Sequence, residues 1–142
     1  MGAGDARPEQ ERLAEEVGRR LAQAGAAVVS GGLGGVMEAA CRGAREAGGT
    51  TVGILPGLDR SAANPFVEVA LPTGLGEARN ALVVRAADAL VAVGGGYGTL
   101  SEIALALKGG KPVIGLGSWE IEGVEAALDA AAAVEAALGR LT

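Results

Sequence analysis

The sequence predicts an α/β fold of three layers built on a mostly parallel sheet. Short aliphatic runs bounded by glycine or proline alternate with longer stretches whose apolar residues recur at helical spacing, the pattern of strands joined by helical crossovers. Glycine clusters follow two of these runs directly and precede a helical stretch, at residues 31–35 and 94–98. The chain of 142 residues is 49% hydrophobic but only 2% aromatic and holds 25 glycines, so its core is built from Ala, Val, Leu and Ile in closely packed layers. That length suits one domain, residues 1–142, and is short for two.

Along residues 8–24, Leu13, Val17, Leu21 and Ala24 recur at spacings of four, four and three, with charges between them and Gly25 after them. This predicts an amphipathic helix. A strand is expected at 26–30, then the first glycine turn, then a helix over 36–47. Further strands are expected at 51–55, 67–71, 89–93 and 112–116, and further helices at 77–87, 99–108 and from about 122 to 138, where the chain is rich in alanine. Met1-Gly2-Ala3-Gly4-Asp5 reads as a glycine turn with no strand ahead of it. A first strand missing at the N-terminus and a plain polar terminus both fit that segment.

Parallel strands joined by right-handed crossovers place every strand-to-helix loop at the carboxyl edge of the sheet, as in a Rossmann-like fold. The loops 31–35, 56–64, 72–79 and 94–99 all follow strands and converge on that edge, whereas Gly25, Gly48-Gly49 and Gly109-Gly110 stop helices at the other. Glycine lets the backbone approach an anion with no Cβ between, and the first amides of a helix carry partial positive charge. The candidate binding residues are therefore Gly31, Gly32, Gly34 and Gly35 in one turn and Gly95, Gly96, Tyr97, Gly98 and Thr99 in the other. Two such phosphate cradles in a short chain suggest one nucleotide-sized ligand.

The formal net charge is −5, and Lys108 and Lys111 are the only lysines, so no basic field draws a nucleic-acid backbone and nucleic acid is not expected as a partner. Histidine is absent and Cys41 is the only cysteine, which excludes the usual zinc constellations, histidine-based dyads and disulfides. No metal and no cofactor is expected. The start of the chain lacks the basic and apolar regions of a secretory signal, and no uninterrupted apolar stretch reaches membrane-spanning length. A cytoplasmic protein with no membrane partner is expected.

Neither cluster is a dinucleotide fingerprint, because Met37 and Thr99 stand where the third glycine belongs. Taken together they resemble the LONELY GUY (LOG) family of cytokinin-activating phosphoribohydrolases and its relatives once labelled lysine decarboxylases, whose signature is Pro-Gly-Gly-x-Gly-Thr-x-x-Glu. Here Gly94-Gly95-Gly96-Tyr97-Gly98-Thr99-Leu100-Ser101-Glu102 replaces the proline with glycine and keeps the rest. Upstream, Gly31-Gly32-Leu33-Gly34-Gly35-Val36-Met37 resembles the first glycine loop of the family. The catalytic Glu-Arg-Lys run of the family corresponds to Ala78-Arg79-Asn80, which keeps only the arginine. These departures resemble a branch close to molybdenum-cofactor carrier proteins. The resemblance spans Leu13 to Leu116, favours the missing first strand, and implies a homodimer or higher homo-oligomer.

For activity, the resemblance implies a protein that binds a nucleoside 5′-monophosphate and is a candidate phosphoribohydrolase releasing base and ribose 5-phosphate. In that reading Arg79 and Glu102 are catalytic: the carboxylate serves an oxocarbenium-like ribosyl centre, and the guanidinium holds phosphate or ribose. The alternative is a noncatalytic carrier or sensor of a phosphorylated ligand, since Arg79 has lost both family neighbours. A lysine decarboxylase is rejected, because a Schiff-base lysine is needed and Lys108 and Lys111 flank the opposite sheet edge. Thr99-x-x-Glu102 also has the spacing of a capping box, so both residues have a plain structural reading. Trp119, just past the last strand, either stacks on a base or covers the core, and cover is favoured.

Overall fold

The computed structural model describes residues 2–141. In chain order it contains α1 (Pro8–Gln23), β1 (Val28–Ser30), α2 (Val36–Glu46), β2 (Thr51–Leu55), β3 (Val69–Pro72), α3 (Arg79–Ala86), β4 (Leu90–Val93), α4 (Tyr97–Lys108), β5 (Val113–Leu116), β6 (Val124–Ala126) and α5 (Ala130–Gly139). Strands β1, β2 and β3 pair in that order, as do β4, β5 and β6, and every pairing is parallel. The α/β, Rossmann-like architecture expected from the sequence is what the chain adopts.

Between the two groups of strands lies the start of the chain. Gly2 makes a single parallel bridge to Val93 at the end of β4, and the Ala3 carbonyl accepts a 3.0 Å hydrogen bond from the Val36 amide at the head of α2. The first strand expected to be missing would precede Met1, outside the described residues.

Helices cover both faces of the sheet. On one side α1, α2 and α5 bury Ala14, Val17, Ala39, Ala133 and Val134 against Val93, Ile114 and Leu116. On the other, α3 and α4 bury Val84, Ile103 and Ala106 against Leu90, Ala92 and Val113. A chain so poor in aromatics fills these layers by bringing backbones together. Gly18 of α1 lies against the Ala40 carbonyl of α2, and Gly43 of α2 against the Glu15 carbonyl of α1, where a Cβ at either position would collide. No helix among the described residues is long and apolar enough to cross a membrane.

One expected element is different. The helix expected from about residue 122 is preceded by β6, which pairs with β5 through Val113–Val124, Ile114–Glu125 and Gly115–Ala126. Pairing gives the backbone groups along β5 hydrogen-bond partners, which helix propensity cannot do. The helix starts after Asp129, whose carboxylate accepts the Ala132 amide at 2.8 Å as an N-cap.

Candidate functional site

The glycine turn after β4 feeds straight into α4, which begins at Tyr97. Its N-cap is Gly96, with no side-chain cap, so the amides of Tyr97, Gly98 and Thr99 have no intrahelical acceptor and carry the positive end of the helix dipole. Thr99 is therefore the third helical residue and Glu102 lies in the second turn, which removes the capping-box reading for both. The turn is fastened from the β5–β6 loop: Ser118 Oγ donates to the Gly94 carbonyl at 2.7 Å and Trp119 Nε1 to the Gly96 carbonyl at 3.2 Å. Trp119 packs against the core on the α3–α4 side, as expected, and also stacks on Tyr97 with ring centroids 6.2 Å apart. Gly95 has φ +109°, and a Cβ there would stand 2.5 Å from the Thr99 side chain.

Arg79 opens α3 on the same sheet edge. Its Nε donates to the Ile54 carbonyl at 2.9 Å, Nη2 to the Gly31 carbonyl at 3.5 Å, and Nη1 to Asn80 Oδ1. The guanidinium is thus held by neutral acceptors and not by an acid, and it keeps its charge for a ligand. Burial draws its pKa below the usual range while the nearby Glu102 charge acts against that shift. Gly31 makes room for it, since a Cβ there would lie 2.6 Å from Arg79 Nη2 and 2.9 Å from the Met37 sulfur.

Glu102 is only 8% exposed, and no ion pair joins it to Arg79 among the described residues. Burial pushes its carboxyl up to about 7, with the Arg79 charge pulling the other way. Both side chains line a cavity of about 380 Å³, together with Gly31, Gly96, Gly98 and Thr99. One residue from the first glycine loop and three from the second therefore meet at a single space.

The remaining predicted residues lie beside this cavity and not on it. Gly32 packs on Leu55 and Gly53 of β2, and Gly35 on the Ala3 carbonyl, while Gly34, Gly95 and Tyr97 are also absent from the cavity wall. Sequence reasoning missed Asn64, a buried residue whose Nδ2 donates to the Leu33 carbonyl at 2.9 Å and whose amide donates to the Gly32 carbonyl at 2.8 Å, pinning the first glycine loop. It also missed Asn80, which supports Arg79, and Met37, which forms part of the wall. The sequence did carry a signal for these two, since each adjoins a glycine-loop or arginine motif.

A larger cavity of about 730 Å³ lies between α1 and the start of α5. Of its three arginines, Arg7 and Arg20 are ion-paired with Glu9 and Glu16, and neither of the glycine loops 31–35 and 94–98 lines it. The smaller cavity, with an uncompensated cation, a buried carboxyl and a helix start, is the better candidate.

The profile of the SLOG cluster4 family matches residues 1–138. Among solved structures, the chain is similar to the molybdenum cofactor binding protein of Rippkaea orientalis, at 37% identity and a TM-score of 0.92, over 97% of this chain and 91% of that one. It is similar also to the Moco carrier protein of Chlamydomonas reinhardtii, at 41% identity and a TM-score of 0.89, over 99% of this chain and 93% of that one. DNA processing protein A of Helicobacter pylori, described for its single-stranded DNA binding mode, shares the fold alone at 21% identity and a TM-score of 0.72, over 99% of this chain and 79% of that one.

These findings correct two expectations. The phosphoribohydrolase reading, and with it an enzyme using Arg79 and Glu102 as catalytic residues, gives way to the carrier alternative, because the proteins this chain is similar to along nearly its whole length bind or carry a cofactor. The site agrees: Arg79 is flanked by Ala78 and Asn80 in place of the acid and lysine of the hydrolases. The exclusion of nucleic acid is also withdrawn. A fold shared with a single-stranded DNA binder is compatible with such partners, and net charge of the whole chain does not decide what one face of it binds.

Proposed function

The chain belongs to the SLOG cluster4 family, and from that membership we propose that it is a noncatalytic carrier of a phosphorylated pterin of the molybdenum-cofactor type. The observation that carries this reading is the similarity to molybdenum-cofactor binding and carrier proteins along almost the full chain. The cavity supports it in kind. Arg79 holds an uncompensated charge beside the open amides of Tyr97, Gly98 and Thr99, a setting suited to a phosphate monoester. Molybdenum is part of the cargo here and not a resident metal of the protein. The reading treats residues 1–142 as one domain, placed in the cytoplasm.

The test is retention of the cofactor. Protein mixed with molybdenum cofactor released from a molybdoenzyme is passed through gel filtration, and the protein fraction is oxidised and read for pterin fluorescence. Near-stoichiometric pterin with the wild type and at least tenfold less with Arg79→Met is expected. Absence of pterin from the wild-type fraction would sink the reading.

A further inference from the structure

Glu102 is the group in the cavity that phosphate binding leaves unexplained. A carboxylate repels a phosphate, yet this one is nine-tenths buried in the same wall as the uncapped helix start, and it has no ion-pair partner among the described residues. Arg79 lines the same space but directs its guanidinium to the Ile54 and Gly31 carbonyls and to Asn80. Thr99 and Glu102 occupy helical positions that do not cap α4, so local structure gives the carboxylate no task. No side chain or backbone group among the described residues donates to this carboxylate, so its donors come from the cavity it lines, water in the empty site and ligand N–H groups in the filled one. A carboxylate open to a cavity in this way can take two adjacent N–H donors at once.

We propose that Glu102 is a specificity-determining residue that accepts the paired donors of a 2-amino-4-oxopyrimidine edge, the ring N–H and the exocyclic amine, while Arg79 and the α4 amides take the phosphate end of the same ligand. That edge belongs to pterins and equally to guanine, and two adjacent N–H groups match a carboxylate bidentately. The arrangement divides the cavity by charge: the cation and helix start face the anionic end of the ligand, and the carboxylate faces the donor-rich ring. It rests on the carrier reading for the pterin source and adds the chemistry by which the ring is chosen.

The experiment is calorimetric titration of wild type and Glu102→Gln with two ligand pairs. One pair is 6-hydroxymethylpterin phosphate and its 2-deamino analogue; the other is guanosine and inosine monophosphates, which differ in the same amine. Wild type should prefer the amino member of at least one pair by tenfold or more, and Glu102→Gln should narrow that preference to threefold or less. The wild-type preference should also grow between pH 6 and 7.5, as the carboxyl loses its proton beside Arg79 and Asp5, the other charged groups on the cavity wall, and should stay flat in Glu102→Gln. Equal affinity within both pairs, or a preference that survives Glu102→Gln, would overturn the proposal. Pterin phosphate bound with no discrimination in either pair leaves the carrier reading standing and removes the role of Glu102. Discrimination seen only with the nucleotides keeps the role and removes the pterin. No binding of any of the four ligands removes both.

Discussion

Arg79 and Glu102 reach one cavity from the starts of neighbouring helices and do not pair. A direct ion pair would neutralise both and leave a cavity with no preference for charged ends of a ligand. Instead backbone carbonyls hold the guanidinium, and burial outweighs the opposing Arg79 charge in raising the carboxyl pKa. The separation preserves two opposite handles within one space.

The titration of Glu102 follows from that separation. Its folded pKa of about 7 lies above the 4.5 of the free group, so the folded state binds the proton more tightly. The resulting stabilisation is complete below about pH 4.5 and is lost as pH rises through about 7. The difference between about 7 and 4.5 corresponds to at most about 3.5 kcal/mol, at roughly 1.4 kcal/mol for each pH unit. Urea unfolding at pH 5 and pH 8 should show the wild type losing part of its stability at the higher pH and Glu102→Gln losing less. An unchanged pH slope in the variant would refute this.

Gly31→Ala should separate the site from the fold. The φ of Gly31 is not in the left-handed region, so alanine fits the backbone, and its Cβ meets only the movable ends of Arg79 and Met37 at 2.6 and 2.9 Å. Stability should change by less than about 1 kcal/mol, within the range of mild substitutions. Affinity for pterin phosphate should fall about tenfold as the guanidinium leaves its carbonyl seat. Thermal melts and calorimetry on one sample check both halves, and an unaltered affinity would show that the seat of Arg79 is unimportant.

Gly95→Ala should damage fold and site together. With φ +109° the position is strained for any L side chain, and the new Cβ would stand 2.5 Å from Thr99, a buried residue with little room to yield. A loss of about 1–3 kcal/mol is expected for strain of this kind. Because Gly95 adjoins the start of α4, pterin phosphate affinity should fall as well. Stability equal to wild type in urea unfolding would contradict the turn geometry.

What the sequence made legible follows from which forces act locally. Alternating aliphatic runs and helical spacing located β1 to β5 and the helices, because each signal lies within its own segment. β6 escaped because its three residues are strand only through pairing with β5, while the alanines after Asp129 dominate the local propensity. The two glycine loops and Arg79 were readable as motifs, but that only Gly31 of the first loop reaches the cavity depends on how β1, β2 and the start of the chain pack. Asn64 carried no signal at all, since its hydrogen bonds cross 31 residues to Leu33. The capping-box reading of Thr99 and Glu102 failed because α4 starts two residues earlier than its composition suggests.

Lys111 supplies a prediction remote from the cavity. Its Nζ donates to the carbonyls of Val84, Arg85 and Ala87, at 2.7, 2.9 and 2.5 Å, and so closes the C-terminal end of α3. A cation at that end meets both the last carbonyls and the negative pole of the helix. Lys111→Met removes the donor and leaves the part-buried Ala87 carbonyl without it, while Val84 keeps the Ala87 amide, and the loss should cost about 1–2 kcal/mol. Arginine should restore part of the loss by keeping the charge. Since Arg79 stands at the opposite end of α3 and takes its bonds from β2 and the first glycine loop, pterin phosphate affinity should stay within twofold of wild type in both variants. A large drop in affinity without a drop in melting temperature would show instead that this lysine acts on the ligand.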